Sequence, residues 1–248
     1  MILLITNDDG IFAPALQQLR EALAPLGRVV TVAPDRDQSA TSHSLTLHRP
    51  FRIQRHEQDV YSVDGTPTDC VVTAWYGLLD ALPDLVVSGI NHGPNMGEDV
   101  FYSGTVAAAI EGTLQGAPSI AVSLVTRERT DFVEPAAFVG RLVRQVIERG
   151  LGPRRLLNVN IPHRPWSEVR GVRVTRLGSR VYRDTLVRKV DPRGRDYYWI
   201  GGQDPVWESV EGTDFHAVEQ GAISVTPLRL DLTDETARVD MGSWMLEK

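Results

Sequence analysis

The sequence predicts an α/β fold, a Rossmann-like, doubly wound and mostly parallel sheet followed by a C-terminal β-hairpin or arm. Three observations carry this. Through residue 163, short apolar runs alternate with stretches of helical period. The runs are apolar throughout, as strands buried on both faces are. After Pro162 the pattern gives way to a stretch rich in Arg, Asp, Pro and Gly.

In chain order, residues 2–5 read as a buried strand. Pro14 opens a helix with Leu16, Leu19 and Leu23 on one face, closed by Gly27. Residues 28–33 (RVVTVA) are a second strand, and SLTL, FRIQR and VYSV within 44–63 are short, more polar β segments of an edge or side hairpin. Thr66, Pro67 and Asp69 read as N-cap, first-turn proline and N3 acid of a helix to about Leu79. Residues 85–87, 120–124 and 156–159 are further strands, separated by helices at 106–115 and 135–149. In the second of these helices Phe138, Leu142 and Val146 share one face. Residues 1–163 thus form the core, and 164–248 a C-terminal extension without a core of its own. In that extension VRVTR and YYWIG are strand-like pieces of an arm over 164–204. Residues 222–227 are a last strand, and Trp244, Met245 and Leu246 an amphipathic tail.

Composition narrows the class. With 248 residues and a 42% hydrophobic share the chain supports a sizeable core. A net charge of −6 offers no basic field for nucleic-acid polymers or anionic membranes, so an anionic substrate must be met locally. A single cysteine, Cys70, excludes a disulfide framework, suits a reducing cytosol and reads as a small core residue. No apolar run approaches the roughly 18 residues of a membrane span, and the N-terminus lacks a basic signal-peptide region. A cytoplasmic protein is expected.

Three strands end in polar, Gly-containing loops: NDDG (7–10), PDRDQS (34–39) and SGINHGPN (88–95). In an open α/β sheet such loops converge on the crevice beyond the strand carboxyl ends. They bring together Asp8, Asp9, Ser39, Asn91 and Asn95, whose oxygens suit a hard divalent cation better than zinc. Asp9-Gly10 also reads as an ordinary turn. The absence of any Lys or Arg before Arg20 and the company of the two other loops favour a cation. In YSGTVAAAIEG (102–112), Ser103, Gly104 and Thr105 precede a small-residue helix whose free N–H groups attract anions, although helix capping alone also accounts for them. His43 and His92, alone in their loops, carry little weight.

Spacing removes several chemistries. There is no G-x-x-x-x-G-K-[ST] loop, no G-x-G-x-x-G after the first strand and no G-x-S-x-G elbow. Tyr76 stands where a Cys-x5-Arg phosphatase loop starting at Cys70 needs arginine, and Gly10 breaks a D-x-D nucleophile motif. What survives is metal-assisted attack of water on a phosphate held at a helix N-terminus.

The blocks NDDG (7–10), APDRDQS (33–39), GTPTDCV (65–71), SGINHGPNMG (88–97), YSGTVAAAIEG (102–112), DPRG (191–194), YWIG (198–201), GTDF (212–215) and SVTPL-RLDLT (224–233) resemble the SurE survival-protein family of 5′- and 3′-nucleotidases, in order from residue 1 to about 233. The resemblance implies a divalent-metal-dependent phosphatase of nucleoside monophosphates, with short polyphosphate as a further substrate. It places one ion per subunit, Mg²⁺ or Mn²⁺, on Asp8, Asp9, Ser39 and Asn91, and the phosphate on Asn95 and Ser103-Gly104-Thr105. It also implies that the C-terminal arm exchanges between subunits, giving a homodimer or homotetramer. Ala40 departs from a usual Gly and Ala222 from a usual aromatic. In this mechanism either Asp8 or Asp9 takes a proton from the water, and Asn95, Ser103 and Thr105 steady charge on the phosphate. A nucleotide-binding module without turnover is the alternative class, and an oligomeric scaffold a third; phosphate release separates them.

Overall fold

The computed structural model describes residues 1–126, 128, 130–181, 186–200, 206–242 and 244. It contains, in chain order, β1 (Ile2–Thr6), α1 (Pro14–Leu23), β2 (Arg28–Pro34), β3 (Ile53–Glu57), β4 (Val60–Val63), α2 (Pro67–Thr73), β5 (Leu85–His92), α3 (Gly104–Leu114), β6 (Ser119–Val125), α4 (Val133–Arg149) and β7 (Arg155–Pro162). The later elements are β8 (Val172–Val174), β9 (Arg180–Val181), β10 (Leu186–Val190), β11 (Asp196–Ile200), β12 (Val206–Trp207), α5 (Asp214–Glu219), β13 (Ile223–Arg229) and α6 (Glu235–Met241).

Nine strands form one sheet in the order β3-β4-β2-β1-β5-β6-β7-β13-β8. Neighbours run parallel except β3–β4 and β7–β13. The alternation along β1 explains the double layer. Leu3 and Ile5 point into a core shared with Leu16, Leu19 and Leu23 of α1 and Val139, Val143 and Val146 of α4. Leu4 points the other way, toward Cys70 and Val71 of α2 and Ala108 of α3. The chain runs from β1 out to β2 and later returns to β5 on the other side of β1, which makes the β1–β5 border the topological switch point.

The local signals act as their chemistry requires. Thr66 accepts from Asp69 N–H while the Asp69 carboxylate accepts from Thr66 N–H, a closed capping box. That helix turns into a π-helical stretch over Ala74–Leu78 before its expected end. Two sequence expectations are corrected, and two others gain detail. Residues 44–47 are not a strand, because Ser44 and Thr46 spend their polar groups on local turns and on Asp69. The buried face of α4 is Ala136, Val139, Val143 and Val146, with Phe138 and Leu142 only partly buried beside it. VRVTR does not belong to the arm: Val172–Val174 is the sheet's edge strand, paired with β13. The residues after β13 also form a helix, α6, that apolar periodicity did not reveal, with no buried residue. Trp244 is exposed, and Met245 and Leu246 lie outside the described residues.

The arm is a two-stranded ribbon. β9 pairs with β12 at its root, and β10 pairs with β11 beyond it. Leu186, Val190, Trp199 and Ile200 are exposed on it. No helix among the described residues is long and apolar enough to cross a membrane.

Candidate active site at the carboxyl edge of the sheet

The first loop is built by Asn7. Its buried amide donates to the Gly10 carbonyl at 3.0 Å and accepts the Gly10 N–H at 3.2 Å, folding the chain back within three residues. Gly10 takes φ +97°, a conformation side chains disfavour, and a Cβ there would come within 3.2 Å of the Arg36 backbone. This turn leaves Asp8 facing α3. Its carboxylate accepts the Thr105 N–H at 3.2 Å and the Thr105 hydroxyl. A Cβ on Gly104 would stand 3.0 Å from the Asp8 carboxylate, so only glycine lets the helix start come this close without something shifting.

Asp9, half-buried, accepts the His92 N–H at 3.3 Å. The second loop is tied to the first by Gln38, whose N–H donates to the Asp8 carbonyl at 2.8 Å. Ser39 follows, exposed, with its N–H on Asp37 at 2.8 Å. Farther on, Ser42 donates to the Phe101 carbonyl at 2.7 Å and His43 Nε2 lies 2.9 Å from Glu111 Oε2. Both contacts pin the loop beside α3. Asn91 sits where β5 slips register against β6, and its Nδ2 donates to the Gly93 carbonyl at 2.9 Å, which leaves Oδ1 for a ligand.

Asn95 is held on three sides. Its N–H donates to Asn160 Oδ1 at 2.9 Å, and its carbonyl accepts Nδ2 of Asn158 at 2.8 Å and of Asn160 at 3.0 Å. Its side-chain Nδ2 donates to Ser123 Oγ at 2.9 Å. Asn91, Ser123 and Asn160 face one another across β5, β6 and β7, a polar row at the carboxyl edge. At α3, Ser103 caps the helix by accepting the Val106 N–H at 3.0 Å. With Thr105 spent on Asp8, the Gly104 N–H has no acceptor among the described residues.

The structure therefore puts Asp8 in direct contact with Thr105 and beside Gly104, and Asp9 in direct contact with His92. Ser39 and Asn91 adjoin this pair through their neighbours Gln38 and His92, and Asn95 is bound to the sheet rather than to a carboxylate. Sequence reading did not single out Asn7, Ser123, Asn158 or Asn160. The pair Asn158 and Asn160 was a legible signal: two amides two residues apart on one face of an otherwise apolar strand.

The electrostatics are one-sided. Burial raises the Asp8 carboxyl from 3.8 to about 6, opposed by the Thr105 hydroxyl and assisted by the Asp9 charge. Burial raises Asp9 too, against the His92 N–H. Among the described residues neither makes an ion pair. A buried carboxylate with a second, half-buried one beside it and no ion pair is costly without a cation to balance it. Carboxylate, hydroxyl and amide oxygens are also the donor set that a hard divalent ion accepts. The observed chemistry fits such an ion.

Comparison with known proteins gives one answer. The family model described as Survival protein SurE matches residues 3–184. The 5′-nucleotidase SurE of Geobacter sulfurreducens is 52% identical over 99% of this chain and 94% of its own length. That of Vibrio cholerae serotype O1 is 49% identical over 100% of this chain and 99% of its own. A crystal structure of the SurE protein from Aquifex aeolicus superposes with a TM-score of 0.88 at 46% identity, covering 97% of this chain and 98% of that one.

Proposed function

This chain belongs to the SurE family, and from that premise we propose that it is a phosphoric monoester hydrolase acting on nucleoside 5′-monophosphates. Nucleoside 3′-monophosphates and short polyphosphate are further substrates in this proposal. The observation that carries it is the buried Asp8 beside the half-buried Asp9, neither ion-paired to a protein cation among the described residues, at the switch point of the sheet.

In this reading Asp8, Asp9, the Ser39 hydroxyl and Asn91 Oδ1 hold one divalent ion, Mg²⁺ or Mn²⁺, per subunit. When bound, such an ion supplies Lewis acidity and a more acidic water. The chain does the rest. Thr105 orients Asp8 and the His92 N–H orients Asp9, and one of these carboxylates takes the proton of the attacking water. The phosphate lies against Asn95 and the start of α3. There the Gly104 N–H and the positive end of the helix dipole meet its anionic oxygens, together with Ser103 and with Thr105 shared with Asp8. Asn95 enters already locked by Asn158 and Asn160, so little reorganisation is needed as charge develops.

The exposed apolar β10–β11 hairpin is the segment we assign to a homodimer or homotetramer. No membrane or nucleic-acid polymer enters the scheme, and the single buried thiol of Cys70 suits a cytoplasmic setting. The decisive experiment measures phosphate release from AMP and GMP with Mg²⁺ or Mn²⁺, with EDTA as the control. Release is expected only with metal, and Asp8→Asn and Asp9→Asn are each expected to abolish it in folded protein. Near-normal release by both variants would sink the assignment.

A further inference from the structure

The motif GTDF, residues 212–215, contributes nothing to the crevice itself, yet its Asp214 is fully buried. The carboxylate gathers three backbone donors. Oδ2 accepts the Gly97 N–H at 2.8 Å, and Oδ1 accepts the Gly178 N–H at 2.8 Å and the Phe215 N–H at 2.9 Å. Gly97 lies two residues after Asn95, and Gly178 two residues before the arm begins at Arg180. The approach is tight, since a Cβ on Gly97 would stand 2.7 Å from the Gly178 carbonyl.

Two further ties run the same way. Glu98 accepts the Arg180 N–H at 2.7 Å, and the Arg180 guanidinium donates to Asp99 at 2.5 Å. On the returning strand, Trp207 stacks on Phe215 with centroids 5.0 Å apart and rings 11° from parallel, in the cluster that also buries Met96. Both root strands of the arm, β9 and β12, are therefore joined to the residues that follow Asn95. From the other side Asn158 and Asn160 grip Asn95 itself.

We propose that Asp214 is a positioning residue that sets Asn95 relative to the root of the arm, so that the placement of the arm is felt on the phosphate side of the crevice. The proposal rests on the assignment of Asn95 to the phosphate. Its physical basis is that a buried carboxylate shared among three N–H groups cannot exchange them for water, so the segments it joins shift as one body. The hairpin beyond the root carries exposed apolar side chains, and capture of those side chains by a second copy loads this bracket.

A double-mutant cycle tests it, using the full chain with Mn²⁺ and AMP. Asp214→Asn and Arg180→Ala are each introduced with Asn95 present and with Asn95→Ala. Each is expected to lower kcat about tenfold with KM within about twofold when Asn95 is present, and by less than about twofold when it is not. Equal losses in both backgrounds, or an unchanged kcat, overturn the proposal. Arg180→Ala, at a partly exposed site, keeps the test open where Asp214→Asn fails to fold. A second readout needs no turnover: the Asn95 side-chain amide resonance of ¹⁵N-labelled, metal-free protein is expected to move in both variants. Immobility of that signal refutes the bracket. Wild-type protein that releases no phosphate refutes the nucleotidase reading instead, and the amide signal still decides the bracket.

Discussion

Replacing Asp8 by Asn is expected to destroy activity and, in the absence of metal, to stabilise the fold. The sign follows from the raised carboxyl. A group whose folded value lies above its unfolded one lends stability that is complete below 3.8 and is lost as pH rises through about 6. At about 1.36 kcal/mol per unit, the wild-type protein at pH 8 has lost roughly 3 kcal/mol, of which about half disappears between pH 5 and pH 8. Asn keeps an acceptor for Thr105 but adds amide hydrogens with no evident partner, at about 1–2 kcal/mol. The net gain of Asp8→Asn in EDTA at pH 8 is then about 1–2 kcal/mol, and it should shrink or reverse at pH 5. Guanidinium denaturation at the two pH values reads it directly. Adding Mn²⁺ should reverse the order, since each tenfold excess over Kd stabilises only the chain with both carboxylates, by ~1.4 kcal/mol. A variant less stable than wild type in EDTA at pH 8, by a margin that does not change with pH, refutes the idea of an uncompensated charge.

Asn160→Leu removes both bonds to the Asn95 backbone and strands that buried N–H, so a stability loss of about 2–3 kcal/mol and a fall in kcat of at least about tenfold are expected from denaturation and AMP turnover. Ala40 lies in the left-handed region at φ 57°, which costs a non-glycine about 1–2 kcal/mol. Ala40→Gly should therefore leave stability level or raise it by up to ~1 kcal/mol after the entropy of glycine is counted, seen as an equal or higher Tm. Trp199→Ser with Ile200→Ser removes two exposed apolar side chains of the hairpin, and sedimentation at micromolar concentration should shift toward the monomer. An unchanged distribution would place the subunit contact elsewhere.

Much of this protein was legible before any coordinates. Uniformly apolar runs between helical periods dictate strands buried on both faces, and β1, β2, β6 and β7 lie where those runs stand. Thr66-Pro-Thr-Asp69 encodes its own capping box, because cap and partner are three residues apart and need nothing distant. The carboxylate pair and the polar strand ends could likewise be read as a converging site from strand order alone. The amphipathic faces were harder. In α4 the choice between Phe138 and Val139 as the inward position depends on which side of the helix meets the sheet, and only packing decides that. VRVTR reads as part of an arm because its sheet partner, β13, lies far along the chain. Asp214 and the Asn158–Asn160 pair belong to the same class. Their partners Gly97 and Asn95 are distant in sequence, so the hydrogen bonds that give them meaning exist only once the sheet has closed. Local chemistry determined the elements and the polar strand ends, while tertiary contact decided which backbone each buried polar group holds still.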